Sequence, residues 1–425
     1  MYESLSNSQK LVMDAIEDGE NVFVTGPAGT GKSYLLNYIK QQYLGKDLHV
    51  TASTGIAAVN VAGVTLHSWA GIGLGDMPLN LLLRRIFSVQ GSKLRRKLKQ
   101  TKILAIDEVS MISAYVLDLL NALLKAVREN PAPFGGLQII LFGDFFQLPP
   151  IIKKQDLLIN DKHFCFESHS WKEAALKTFV LKETFRQKDE IFINLLNNIR
   201  HGIVTKENVE LLRSRYQVED EDEVLKPTIL TTHNNFAENV NQKYLKNLPA
   251  MERRFFGKYE GDKKKIEFLK KNCLAQDELV LKIGAQVMML KNTYAKEGVI
   301  NGSLGIIRSF SSKKFYPIVE FANGSTITIT PEEWCVQKYD ETKKEMKVEA
   351  MMVQIPLLLS WAITVHKSQG MTLDKIECDL IDAFAEGQIY VALSRVKTLE
   401  GLFIKSFSVN KIKANPKILE FYSAL

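Results

Sequence analysis

The stretch NVFVTGPAGTGKSYLLNYI, Asn21 to Ile39, decides the fold class. Asn21–Thr25 has the apolar, β-branched character of a short buried strand. GPAGTGKS at Gly26–Ser33 interrupts it, and Lys32–Tyr43 then reads as a helix with Leu35, Leu36 and Ile39 on one face. Strand, glycine-rich loop and helix in that order form the context in which this pattern cradles phosphate. Gly26, Gly29 and Gly31, with Pro27, Ala28 and Thr30 between them, let backbone N–H groups wrap a phosphate at a helix N-terminus. Lys32 is expected at the β/γ oxygens of a nucleoside triphosphate and Ser33 at Mg²⁺. The loop alone says no more than that.

Outward from the loop, His49–Ala52, Ile103–Ile106 and Gln138–Phe142 are further short apolar runs separated by helical patterns. This alternation predicts a doubly wound parallel sheet over the first ~180 residues. Two of the runs end in chemistry. Ile103–Ile106 leads into Asp107-Glu108, where Asp107 is expected to hold the metal, directly or through water, and Glu108 to polarise an attacking water. The alternative is that these acids merely cap the next helix. Gln138–Phe142 leads into GDFFQLPP, Gly143–Pro150, a Gly-Asp turn followed by Gln147 and a stiff Pro-Pro exit. An amide both donates and accepts, so Gln147 suits a γ-phosphate sensor. Triphosphate hydrolysis depends on positioning and charge stabilisation, which calls for cations as well. Arg186 in LKETFRQKD and Arg395 in YVALSRVKTLEGL are the candidates; either alone could be an ordinary surface arginine.

With 425 residues, 46% apolar and 24% charged, the chain can build two to four domains with sizeable cores. No run approaches the length of a membrane span, and the N-terminus has no leader character. Four scattered cysteines predict reduced, buried thiols in a cytosolic protein. The net charge of +7 raises the prospect of a nucleic-acid partner only slightly. Its distribution says more. Leu81–Lys102 holds eight Lys or Arg and no acid, which suits phosphate contact or a solvated surface; the acidic run Glu219–Glu223 reads as a solvated loop.

A second α/β region is expected from Phe179-Val180-Leu181 onward, giving domains 1–180 and 181–425. The first carries a Gly-, Leu- and Arg-rich insertion at 71–102. The second carries a basic, helical-looking insertion at about 245–276 and a strand-rich one at about 287–356. In the latter Tyr316–Phe321 and Thr326–Thr330 flank Asn323-Gly324, a hairpin signal that suggests a small β-barrel.

These motifs form one ordered set. It runs from Gln9 in LSNSQKLVMDAI through GPAGTGKS, TASTGIAA (Thr51–Ala58), TLHSWAG (Thr65–Gly71), IDEVSM (Ile106–Met111) and GDFFQLPP. It continues with FRQKDEIFINLLNNIRHG (Phe185–Gly202), TTHN (Thr231–Asn234), VHKSQGMTLD (Val365–Asp374) and YVALSRV (Tyr390–Val396). The set resembles superfamily 1B DNA helicases of the petite-integration-frequency (PIF) type, with RecD-like enzymes as relatives. The resemblance implies two tandem RecA-like α/β domains with parallel sheets, a small wedge inserted in the first and an SH3-like β-barrel in the second. It implies ATP and Mg²⁺ as cofactors, with Gln9 recognising adenine. It also implies 5′-to-3′ translocation on single-stranded DNA and unwinding of forks or structured DNA. Thr54, Gly55, His67 and Ser68, with Thr232, Asn234, His366, Lys367 and Gln369, match motifs that face the strand. These are backbone-reading side chains, as sequence-independent grip requires; His67 and His366 equally fit ordinary surface or core positions. Trp69, Trp361 and Phe146 could stack on bases, but core packing is the stronger reading. The family's signature segment falls around Tyr115–Arg128.

The expected protein is thus an ATP-driven DNA helicase. It would be a functional monomer, with dimerisation on DNA left open, in the cytoplasm of a bacterium or the host of a phage and near the nucleoid. A translocating nuclease subunit or an RNA-directed motor is the enzymatic alternative. An ATP-gated clamp is the non-enzymatic one, disfavoured because Lys32, Asp107, Glu108, Gln147, Arg186 and Arg395 are all present.

Overall fold

Strands β1 (Val22–Thr25), β2 (Leu48–Ala52), β3 (Val64–Thr65), β4 (Ile103–Asp107), β5 (Gln138–Phe142) and β6 (Lys177–Val180) form one sheet in the order β3-β2-β4-β5-β1-β6. Every pairing in it is parallel. Strands β1 and β4 are buried throughout, which is why they read as continuous apolar runs. Helices α1 (Asn7–Glu17) and α2 (Lys32–Gln42) contribute Val12, Met13, Ile16, Leu35, Leu36 and Ile39 to a core shared with Val22, Val24, Ala105, Ile140 and Phe142. Burying six such aliphatic side chains is worth about 10–15 kcal/mol before chain entropy is counted.

Strand β5 lies between β1 and β4, with Val24 opposite Phe142 and Ile106 opposite Leu141. The carboxyl ends of the phosphate-loop strand, the Gln-turn strand and the acid-bearing strand therefore stop at one level. This places three motifs, far apart in sequence, along one edge of the sheet.

The computed structural model describes residues 5–43, 48–73, 75, 77–150, 162–220, 225–340, 345–380 and 386–425. The chain divides into two units. One comprises Met1–Phe185, Val336–Glu349 and Pro416–Leu425; the other comprises Arg186–Cys335 and Ala350–Asn415. The sheet above belongs to the first. Its sixth strand, β6, pairs with β1, so Phe179-Val180 closes the first unit and does not open a second region as the sequence suggested. An edge strand with an exposed–intermediate pattern carries no periodic signature of the sheet it joins.

In the first unit α3 (Gly55–Asn60) and α4 (Leu66–Ala70) follow β2 and β3. The 71–102 stretch contains two helices, α5 (Leu79–Phe87) and α6 (Ser92–Gln100). Leu82, Ile86 and Leu98 are buried, whereas Arg84, Arg85, Lys93, Arg96 and Lys99 are exposed and Val89 at the tip is 91% exposed. The helix of the signature segment, α7 (Ala114–Arg128), anchors the base of this pair. Arg128 donates to the carbonyls of Leu98 (2.9 Å), Lys99 (3.0 Å) and Thr101 (2.8 Å), and through Nε to Gly135 (2.7 Å). One guanidinium thus satisfies carbonyls left over at the end of α6.

The C-terminal helix, Pro416–Ser423, also belongs to the first unit. Phe421 packs in an aromatic cluster with Phe23, Phe145, Phe166 and Trp171, at ring separations of 6.2, 5.5, 4.4 and 5.9 Å.

The second unit holds a four-stranded parallel sheet in the order Ala362–Thr364, Thr228–Thr231, Ile376–Asp379, Leu402–Ser406. It also holds a five-stranded antiparallel sheet in the order Thr326–Thr328, Pro317–Phe321, Leu304–Phe310, Gln286–Met289, Leu357–Leu359. Val287, Met289, Ile307, Val319, Phe321 and Leu357 form its core. Asn323-Gly324 makes the expected hairpin, with Gly324 at φ 83°. The 245–276 stretch differs from its helical reading. It contains strands Arg253–Phe256 and Lys258–Gly261 before helix Lys263–Asn272, because Arg253–Phe256 pairs antiparallel with Glu278–Leu281.

All four cysteines are free; Cys165 and Cys378 are buried, Cys273 and Cys335 half-buried. Most of the acidic run Glu219–Glu223 lies outside the described residues, but Asp220 pairs with Lys375 at 3.0 Å. Among the described residues no helix is long and apolar enough to cross a membrane.

Candidate nucleotide site and strand-facing motifs

The phosphate loop joins β1 to α2. Gly26 has φ 150°, and a Cβ there would lie 2.4 Å from the Leu181 carbonyl oxygen, so the loop can pass beside the end of β6 only as glycine. Helix α2 starts at Gly31 with no side-chain cap, leaving its first N–H groups to serve an anion. Lys32 Nζ donates to the carbonyls of Gly26 (2.6 Å) and Pro27 (2.9 Å), and Thr30 Oγ1 donates to Pro27 (2.9 Å). Ser33 is exposed on the first turn of α2.

Gln9 has a second duty, spelled in the sequence as Ser6-x-x-Gln9 but not read there. It is the third residue of α1, and its Oε1 accepts the Ser6 N–H at 3.0 Å in a capping box. Its Nε2 lies 2.8 Å from where a Cβ on Gly31 would sit. The Phe185 ring lies 3.4 Å from the same point, and the Phe185 N–H donates to Gly29 O at 2.9 Å. Phe185 is 60% exposed, an aromatic face beside the loop that sequence reasoning passed over in favour of its neighbour Arg186. Exposure was the missing signal, and it is not written in the sequence.

At the end of β4, Asp107 is buried, and its carboxyl is pushed up to about 7. Burial is the largest cause and the adjacent Glu108 carboxylate the second. The Glu108 N–H, 2.9 Å from Oδ1, and Lys32 oppose them. Glu108 adopts a left-handed conformation (φ 52°, ψ 48°), a strain of roughly 1–3 kcal/mol that suits a functional position. Asp107 and Ser33 offer the hard oxygen donors that Mg²⁺ takes. A buried carboxylate held back from ionising by its surroundings is also a group that a dication would ionise. The residues present therefore fit the metal.

The Gln turn follows β5 and presses against the segment after Glu108. A Cβ on Gly143 would meet Val109 Cγ1 at 2.8 Å and Val109 N at 3.0 Å, so only glycine permits that approach. Gly143 N–H donates to Val24 O (3.1 Å), tying the turn to β1 as well. Asp144 is fully buried, with Oδ1 accepting from Phe146 N–H (3.3 Å) and Oδ2 from Gln147 Nε2 (3.5 Å). Gln147, 5% exposed, is thereby held by its own turn.

The first unit thus brings together Gln9, the loop from Gly26 to Ser33, Asp107, Glu108 and Gln147. Arg186 and Arg395 belong to the second unit, where both gather around Ser394. Arg186 donates to Thr372 Oγ1 (2.9 Å) and Ser394 O (2.8 Å); Arg395 donates to Val391 O (2.8 Å) and Ser394 Oγ (2.9 Å). Gln187, which the sequence did not single out, joins them by donating to Ser394 O (3.3 Å) and Val396 O (2.9 Å). Arg395 is 1% exposed, which rules out the surface reading: a buried guanidinium is costly without a purpose.

The strand-facing residues divide between the units. In the first, Thr54 caps α3 through Ala57 N–H (3.3 Å), Gly55 opens that helix, and Ser68 is exposed on α4. His67 is half-buried, and burial lowers its pKa. In the second, Thr232 Oγ1 contacts His233 Nδ1 at 2.7 Å, Asn234 is exposed, and His366, Lys367 and Gln369 are half-buried after strand Ala362–Thr364. Burial lowers the His366 pKa too. Among the described residues the buried Gln369 Nε2 finds no protein partner. Trp69, Trp361 and Phe146 are all core residues: Trp69 lies under Lys97, Trp361 stacks on Tyr244 at 5.4 Å, and Phe146 stacks on Tyr422 at 4.7 Å.

Against known proteins, residues 4–210 match the family model of PIF1-like helicases and residues 266–310 that of the DNA helicase Pif1 2B domain. A Psychrobacter protein described as ATP-dependent DNA helicase Pif1 is 36% identical over 96% of this chain and 69% of its own length. The chain belongs to the Pif1-like helicase family. Its fold is that of Bacteroides Pif1 solved in complex with ADP–AlF4, at 35% identity, TM-score 0.87 and coverage of 99% and 96% of the two chains. The Candida albicans Pif1 crystal structure aligns at 36% identity and TM-score 0.73, covering 99% of both chains. A Danio rerio relative described as ATP-dependent DNA helicase PIF1 is 39% identical over the whole chain, which spans 64% of that relative's length. The 2B-domain match covers helix Lys263–Asn272 in part and the strands Gln286–Met289 and Leu304–Phe310.

Proposed function

We propose that this chain is an ATP-hydrolysing DNA helicase that travels 5′-to-3′ on single-stranded DNA and opens forked or structured duplexes. The observation that carries the reading is the convergence of Lys32, the Asp107-Glu108 pair and Gln147 at adjoining strand ends of one sheet. The solved Bacteroides Pif1 complexes with ADP–AlF4, with single-stranded DNA and with forked DNA support it by kinship. The two-helicase assembly named for the forked complex leaves both a monomer and a DNA-bound dimer open.

In this reading the N–H groups of the loop and of the first turn of α2 hold the β-phosphate, and Lys32 turns from its loop carbonyls to the β/γ oxygens. Ser33 and Asp107 would hold Mg²⁺, which would supply positive charge to offset that of the phosphate oxygens. Glu108 accepts a proton from the attacking water. Gln147 bonds the γ-phosphate and loses that bond when phosphate departs. Arg186 and Arg395 supply positive charge where the leaving group develops negative charge. Gln9 reads the adenine edge with the amide nitrogen its capping oxygen leaves available, and Phe185 offers the base a face.

Thr54, Gly55, His67, Ser68, Thr232, Asn234, His366, Lys367 and Gln369 grip the strand through hydroxyls, amides, two imidazoles and one ammonium, none of which requires a given base. The basic pair α5 and α6 is the wedge. A cytoplasmic, nucleoid-associated location is the compartment such an activity requires in a bacterium. The test is strand displacement on forks bearing only a 5′ or only a 3′ single-stranded tail. Unwinding is expected with the 5′ tail; a strict requirement for the 3′ tail overturns the direction, and failure on both overturns the helicase reading.

A further inference from the structure

The last helix delivers a tyrosine to the root of the nucleotide site. Tyr422 Oη lies 2.6 Å from Thr25 Oγ1, accepts the Phe145 N–H at 3.2 Å and donates to Asp144 Oδ1 at 3.4 Å. A phenolic hydroxyl has one proton to give and two lone pairs to fill. Thr25 and Phe145 as donors and Asp144 as acceptor use that capacity fully. The ring stacks on Phe146 with centroids 4.7 Å apart and planes 28° from parallel.

The partners belong to two motifs at once. Thr25 is the last residue of β1, directly before Gly26 of the phosphate loop, whereas Asp144, Phe145 and Phe146 belong to the Gln turn. The Asp144 carboxylate, fully buried, faces Tyr422 through Oδ1 and Gln147 Nε2 through Oδ2. A single carboxylate thus stands between the tyrosine hydroxyl and the sensor amide.

We propose that Tyr422 is a positioning residue for the nucleotide site, its hydroxyl locking Asp144 so that Asp144 presents the Gln147 amide in one orientation beside the phosphate loop. The inference rests on the reading of Gln147 as γ-phosphate sensor and adds a residue that no catalytic motif contains. Losing the hydroxyl leaves a buried carboxylate short of one donor, and the Gln147 amide is the neighbour free to turn toward it.

The test is Tyr422→Phe, which keeps the ring, the Phe146 stack and the helix. The expected result is a roughly tenfold fall in kcat for DNA-stimulated ATP hydrolysis with KM unchanged, the loss of one hydrogen bond made to a charged group. Amide hydrogen exchange should quicken within Phe142–Leu148 and stay unchanged in β2 and α7. Phe421→Leu, which thins the same helix's packing but leaves the hydroxyl, is the control; because Phe421 also packs on Phe145, its readout is kcat, which should stay unchanged while Tm falls. Unchanged kcat and unchanged Phe142–Leu148 exchange in Tyr422→Phe overturn the proposal, as does an equal kcat loss in Phe421→Leu. If the parent protein hydrolyses no ATP in the presence of DNA, the helicase reading falls, and the exchange measurement alone decides whether Tyr422 fixes the turn.

Discussion

The two parallel sheets of this chain end in opposite chemistry. In the first, the strand ends carry a glycine loop, two acids and a glutamine; in the second, they carry threonines, a histidine and a lysine, together with the buried Arg395 and the half-buried Arg186. Both use the same rule, that side chains just past the carboxyl ends of parallel strands are free to do chemistry. They differ in what the loops can enclose. The first sheet has β5 between β1 and β4, so a phosphate cradle, a carboxylate pair and an amide sit shoulder to shoulder. Among the described residues the second has no such glycine loop, and its arginines are held by carbonyls and hydroxyls around Ser394. In the proposed reading, one sheet binds and cleaves the nucleotide and the other supplies charge and grip.

Lys32→Ala attacks the first sheet's side of this division. DNA-stimulated ATP hydrolysis should fall by at least ~1000-fold, while affinity for single-stranded DNA, measured by fluorescence anisotropy, stays close to that of the parent. Retained turnover would show that the cradle has been assigned to the wrong sheet. Arg395→Ala attacks the other side. Turnover should drop by at least ~100-fold with nucleotide affinity little changed, by analogy with trans-acting arginines in other triphosphatases. Circular dichroism must show a folded variant; a folded variant with parental turnover would leave the second sheet with grip alone.

Gln147→Ala tests whether the sheets talk to each other through the turn. Base pairs opened per ATP consumed should fall roughly tenfold, about the worth of one hydrogen bond near charge, while basal hydrolysis falls less. Equal losses would make Gln147 a plain catalytic group. The smallest effect concerns one histidine in each unit, His67 and His366, both with pKa values lowered by burial. Because folding depresses each pKa, the unfolded chain binds more protons, so each contributes stability that is present above pH ~6.5 and lost as pH falls through the folded value. Urea midpoints at pH 7.5 and 5.5 should converge in the His67→Gln, His366→Gln double variant relative to the parent. An unchanged pH response would mean that other groups govern acid sensitivity.

Features written locally were legible in the sequence. GPAGTGKS, Asp107-Glu108 and the Gln147 turn are each a few residues long, and the strand before each announces itself by its apolar run. Strand β6 was misplaced because a sheet edge needs no apolar alternation, so Phe179-Val180 looked like the opening of something new. Arg253–Phe256 was hidden in a lysine-rich stretch for a related reason: its pairing with Glu278–Leu281 overrides local helix preference. Gln9 was read only as a motif residue although Ser6-x-x-Gln9 also spells a capping box, and Phe185 was not legible at all, since nothing in the sequence reports exposure. Tyr422 lies furthest from view, because its partner Thr25 is 397 positions away and no periodicity connects them.

That last contact also sets a schedule for making the protein. The aromatic cluster around Phe23 and Phe145 is complete only when Phe421 has been synthesised, although every other member precedes residue 172. About 240 residues separate Phe185 from Tyr422, and ribosomes take on the order of 10–50 s to add that many. Through that interval the nascent first unit waits with an apolar face uncovered. A translational pause in the second half of the message would therefore endanger the first half of the protein.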